Sequence, residues 1–211
     1  MKITIIYDNT AWDPALIPDW GFACLVETGR HRLLFDTGAR SDILLGNMHR
    51  LDILPSRMDA VFISHAHWDH TGGLADFLHI RPIPVVVPAD CPVPPDATRV
   101  IRVEQATELF ENLCSTGALG GFEQSLVIRR GDRAVVVAGC SHPGVGAILD
   151  AAERFGTVNT LIGGLHDFSD LSLIDRIDMI CPAHCTQTID AIKRRYPDKY
   201  TAAGAGRIIQ L

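Results

Sequence analysis

Six of the chain's nine histidines fall in four short strings, His65-Ala-His67-Trp-Asp69-His70, Cys140-Ser141-His142, Gly163-Gly164-Leu165-His166 and Pro182-Ala183-His184. Each string stands where a predicted strand runs out. Imidazole and carboxylate suit zinc and its first-row neighbours, and short loops at strand ends hold them rigidly enough to fix a coordination geometry. Four donors within six residues point to two adjacent ions, because one tetrahedral ion cannot take all four from so tight a loop and also use His142 and His184. Two ions roughly 3.5 to 4 Å apart can share a hydroxide that forms near neutral pH, and this is the expected nucleophile. His31, His49 and His79 stand alone and read as structural residues.

The elements that must position these groups follow from apolar periodicity. Lys2 to Tyr7, Phe22 to Glu27, His31 to Asp36 and Ala60 to Ser64 read as strands, with a hairpin turn at Gly29-Arg30. Ser41 to Leu51 has helical spacing with Ser41 as candidate N-cap, and Thr71 is a candidate start for a helix reaching Leu78. Six prolines in the fourteen residues from Pro82 to Pro95 forbid a regular helix and leave room only for a short strand at Val85-Val86-Val87, in a loop or lid. Glu123 to Arg130 and Arg133 to Gly139 read as a hairpin about Gly131-Asp132, followed by a helix from Val145 to Phe155 and a strand from Val158 to Ile162. A short helix from Leu171 to Arg176, a strand from Asp178 to Cys181, a helix from Thr186 to Tyr196 and an edge strand from Arg207 to Gln210 complete the chain. Two halves of sheet then helix predict two sheets packed face to face with helices outside.

Composition bounds the function classes. With 211 residues, 47% of them hydrophobic, and no linker-like stretch, a single domain over residues 1–211 is expected. Nineteen Lys and Arg against 25 Asp and Glu give a formal charge of −6, which argues against a broad nucleic-acid contact and leaves a small-molecule substrate. The N-terminus alternates as a strand does, without a leader's apolar region, and no apolar run approaches the ~20 residues that span a bilayer, so a cytoplasmic, membrane-independent protein is expected. The six cysteines are then expected to be reduced and mostly buried. Cys185 beside His184, and Cys140 two residues before His142, carry the alternative of a thiolate ligand.

His65-x-His67-x-Asp69-His70 followed by Thr71-Gly72-Gly73-Leu74, and preceded by Phe35-Asp36-Thr37-Gly38, resembles the metallo-β-lactamase superfamily over nearly the whole chain. The resemblance implies a four-layer αββα sandwich with its site at one edge of the sheets. It implies His65, His67 and His142 on a first metal and Asp69, His70 and His184 on a second, zinc ahead of manganese or iron. Asp36 is then a buried carboxylate that orients a ligand. Asp8-Asn9, the string from Gly121 to Leu126, Gly139-Cys140-Ser141-His142-Pro143-Gly144, Gly163 to His166 and Pro182 to Thr186 are similar to the branch named for 7,8-dihydropterin-6-methyl-4-(β-D-ribofuranosyl)-aminobenzene-5′-phosphate synthase. Asn9 is a candidate substrate contact there, against its ordinary role as a turn former. The superfamily's bridging aspartate is absent, and Gly164-Leu165-His166-Asp167 stands in its place. His166 is therefore either a substitute ligand or an unmetallated proton donor, and the second role, beside Asp69 among the catalytic groups, is the expectation.

A metal-dependent hydrolase acting on an ester, lactone or phosphoester is the leading expectation. A pterin-related transferase is the alternative, for which Trp12, Trp20, Trp68 and Phe122 are candidate walls of a flat slot. An iron-dependent oxidoreductase is a further one, and a sensing module that has lost turnover is the last. Oligomeric state and substrate are not legible.

Overall fold

The computed structural model describes residues 1–211. They form two compact units, residues 1–102 with 203–211 and residues 103–202.

In the first unit, β1 (Lys2–Tyr7), β2 (Ala23–Glu27) and β3 (Arg32–Phe35) make an antiparallel meander, with Gly29 and Arg30 in the turn between the last two. The chain then crosses through α1 (Ser41–Arg50) to β4 (Ala60–Phe62), which pairs parallel with β3. Helices α2 (Trp68–Thr71) and α3 (Leu74–Ile80) lead to β5 (Val85–Pro88), parallel to β4. β6 (Val100–Val103) closes one edge, and the last strand of the chain, β13 (Ile208–Gln210), closes the other against β1. Ile43, Leu44 and Met48 of α1 and Leu74, Phe77 and Leu78 of α3 form the apolar helix faces that cluster with Leu25, Leu34, Val61, Val85 and Val87 of the strands.

Two of the boundaries that differ from the sequence reading bear on the site. Ser41 is the first residue of α1 and not its cap: Arg40 holds the extended cap position, and the Ser41 hydroxyl is engaged by Asp76. Thr71 ends α2 rather than starting a helix, because the chain turns helical directly after His67 and pauses at Gly72-Gly73. A Cβ at Gly72 would stand 2.0 Å from the Ala39 carbonyl oxygen, and one at Gly73 2.5 Å from that of Thr37, so the glycines let this segment lie against the loop after β3. The proline-rich segment frames β5, an interior strand whose neighbour β4 donates from Val61 to the Pro84 carbonyl.

In the second unit, β7 (Gln105–Phe110), β8 (Leu113–Gly117), β9 (Leu126–Arg130) and β10 (Arg133–Ala138) form an antiparallel run. After α4 (Val145–Ala152), β11 (Thr157–Gly164) and β12 (Met179–Ala183) add in parallel, and α5 (Ile189–Arg195) follows. Val145, Ile148 and Leu149 of α4 and Ile192 of α5 cluster with Val136, Leu161 and Ile180 of the sheet. Residues 171–176 take the short helix expected of them, as a 3₁₀ turn. The fold is of the mixed α/β class expected, with two sheets. No helix is long and apolar enough to cross a membrane.

Candidate metal centre

In each unit the donors emerge at the C-terminal ends of parallel strands, the side where open α/β sheets bind ligands. Phe35 and Phe62 are paired across β3 and β4, so the loops that follow, bearing Asp36 and the His65 string, leave the sheet side by side. In the second unit Ala138, Gly163 and Pro182 are in register on β10, β11 and β12, and the strings holding His142, His166 and His184 follow in the same way. Four of these loop residues, Asp36, Ser141, His166 and His184, adopt left-handed backbone with φ of 52°, 63°, 45° and 49°. Such strain persists only where surrounding structure over-determines it, and it gathers at functional sites.

The first unit brings His65, His67, Asp69, His70 and Asp36 together. His65 and His70 are fully buried, with ring centroids 4.2 Å apart, and the His65 and His67 rings lie 4.6 Å apart. Asp36, also fully buried, accepts at 2.7 Å from the Ser64 amide, the Ser64 hydroxyl and Nδ1 of His70. The Ser64 hydroxyl also meets Nδ1 of His65 at 2.9 Å. Because a carboxylate only accepts, His70 carries its proton on Nδ1; because the serine proton is committed to Asp36, so does His65. Both rings therefore present an Nε2 lone pair, the form in which histidine binds a metal. Asp69 is turned by the Trp20 indole, which donates to Oδ2 at 2.8 Å. Asn9 accepts from the Gly21 amide at 3.2 Å, a loop tie of the turn-forming kind.

In the second unit Glu123 was not singled out from sequence, yet it organises the Cys140-Ser141-His142 string. Its buried carboxylate accepts from the amides of Cys140 at 3.0 Å, Ser141 at 2.8 Å and His142 at 2.9 Å, and from Nδ1 of His142 at 2.8 Å. His142 is thereby held in the same tautomer as His65 and His70. Its sequence signal was an acidic residue inside the otherwise strand-like string from Gly121 to Leu126, whose branch resemblance assigned it no role. His166 lies beside His142, ring centroids 5.1 Å apart, while Asp167 is exposed. The Cys140 sulfur lies within 4.8 Å of ligand nitrogens of both His142 and His184. A hydrogen bond with Cys140, against an opposing effect of burial and with help from charge at His184, lowers the Cys185 thiol to about 6. All six cysteines are buried, and none is paired in a disulfide. His49 and His79 are exposed, and His31 and His79 sit 3.9 and 3.8 Å from Asp59 and Asp96, so these three are not part of either donor set.

In the first unit Ser64 and Asp36 hold His65 and His70 in the metal-binding tautomer, and in the second Glu123 does the same for His142; each set suits a divalent ion in donor type.

This is the metallo-β-lactamase fold. Residues 21–91 match the sequence profile of the metallo-beta-lactamase superfamily, and a divalent metal belongs to that fold. Over its whole length the chain is similar to Tm1679, a metal-dependent hydrolase of the beta-lactamase superfamily, with a TM-score of 0.82 and 26% identity over 100% of this chain and 99% of that one. Human tRNase Z, short form, shares the fold at a TM-score of 0.66 and 16% identity, over 100% and 99% of the two chains. Among curated relatives, the chain is 22% identical to the 7,8-dihydropterin-6-methyl-4-(beta-D-ribofuranosyl)-aminobenzene-5'-phosphate synthase of Methanocaldococcus jannaschii, over 98% of this chain and 95% of that one.

Proposed function

We propose that the protein is a metal-dependent hydrolase of a small ester, lactone or phosphoester. Its ligands are His65, His67, Asp69 and His70 of the first unit and His142 and His184 of the second. The observation that carries the reading is the set of Nδ1 hydrogen bonds at His65, His70 and His142, which commits each ring to offering Nε2. Bound ions would polarise the scissile carbonyl or phosphoryl group and lower the pKa of a water toward neutrality. The chain's own part is to fix geometry: Asp36 and Ser64 orient His70 and His65, Glu123 orients His142, and the Trp20 indole holds one oxygen of Asp69. The hydrolase among the similar structures supports the reading. In a screen of esters, lactones and phosphodiesters, His67→Ala, an exposed ligand, should lose turnover while keeping the wild-type circular dichroism spectrum. Full activity in that variant would overturn the proposal.

One observation favours a second reading, a pterin-related transferase. Trp12, Trp20, Trp68 and Phe122 are 52, 50, 64 and 39% exposed, so none has gone into the core, although the Arg207 guanidinium lies 4.0 Å over the Trp12 ring, the Trp20 indole is bonded to Asp69 and Phe122 meets His142 edge-on. Saturable quenching of tryptophan fluorescence by a reduced pterin, with no hydrolysis of any screened substrate, would select it.

A further inference from the structure

Three adjacent strand ends of the second unit bring together groups that the hydrolase reading leaves unused. Cys140 follows β10, His166 follows β11 and Cys185 follows β12. One ligand atom of each lies within 4.8 Å of the other two. Both cysteines are buried, at 3 and 8% exposure. His166 has a buried Nδ1 with no hydrogen-bond partner, and leaving such an atom unsatisfied is costly. Gly164 lies between the two cysteine loops; a Cβ there would stand 2.9 Å from the Cys185 sulfur and 3.3 Å from the Cys140 Cα, so the missing side chain makes the room. The turn after each of the three strands contains a non-glycine residue in left-handed backbone, Ser141, His166 and His184.

From this geometry we infer a thiophilic metal position held by Cys140 and Cys185 through sulfur and by His166 through Nδ1. Two thiolates and an imidazole select a soft or borderline ion such as zinc over magnesium or calcium, and three protein ligands leave a fourth position open. With metal–sulfur bonds of about 2.3 Å, tetrahedral geometry sets the sulfurs about 3.8 Å apart, so shifts of about 1 Å are enough to close the site from the present spacing. The orphaned Nδ1 is satisfied in the same step. His166 thus becomes a ligand, the other of the two roles its sequence position allowed, and not a proton donor. The inference does not depend on the hydrolase reading.

Cobalt(II), loaded into the reduced full-length chain, is the probe, because thiolate ligation gives a near-ultraviolet charge-transfer band that nitrogen and oxygen ligands do not. The wild type should show the band, Cys140→Ser and Cys185→Ser should each lose about half of it, and the double variant should lose all of it. His166→Gln should keep the band but change the visible ligand-field spectrum. A wild type without the band overturns the inference whether or not the variants fold, as does a band that survives the double substitution. Failure here with His67-dependent turnover intact would leave the hydrolase reading standing, and a band without turnover would do the reverse.

Discussion

At the residue scale, the buried carboxylates behind the histidines make the most exposed prediction. Glu123 takes four hydrogen bonds, three from backbone amides and one from His142. Glu123→Gln puts an NH₂ group where only acceptors fit, so a donor faces a donor whichever way the amide is turned. The expected cost is about 1–3 kcal/mol in urea unfolding, from the unsatisfied buried groups. Metal affinity should fall roughly 10- to 100-fold, because His142 loses the bond that fixes its tautomer. A variant with wild-type stability and affinity would show that Glu123 is only a neighbour. The clustered histidines were legible because they are dense and stand at strand ends. Asp36 was legible through its motif, but the roles of Glu123, Ser64 and Trp20 were not, since they come from hydrogen bonds across 17 to 19, 28 and 49 residues of chain that no local spacing announces.

At the scale of elements, apolar alternation located the strands on either side of both donor strings, since strands buried on both faces write long Val, Ile and Leu runs. It failed at β7, whose residues are mostly exposed or half-exposed and whose sequence, Gln-Ala-Thr-Glu-Leu-Phe, carries little apolar signal. It also misassigned the cap of α1 and the start of α3, where cap geometry and glycine packing decide. Gly72 tests that explanation. Its backbone is ordinary for a helix end, with φ −61° and ψ −31°, so any penalty for Gly72→Ala is steric and comes from the Ala39 carbonyl 2.0 Å from the new Cβ. Overpacking of this kind costs about 1–3 kcal/mol. Thermal unfolding of Gly72→Ala should show the loss, and an unchanged melting temperature would mean that the loop after β3 moves aside freely.

At the scale of the whole molecule, each unit contributes one sheet and one set of strand-end donors. Metal binding and folding should therefore be linked, because ligands preorganised in the folded chain are not held in the unfolded one. Ion at about 100 times its dissociation constant stabilises by about 2.7 kcal/mol. For a chain of this size that amounts to roughly 5–11 °C in melting temperature, reversibly lost on chelation. Equal melting temperatures with and without chelator would deny the linkage. The most direct test of the central claim, that the clustered histidines bind metal, is elemental analysis of protein purified without chelator, wild type against His67→Ala. The wild type should hold divalent metal and the variant one ion fewer per chain; a wild type with less than one ion per chain, or a variant with the wild-type content, would mean that the clustered histidines do not bind it.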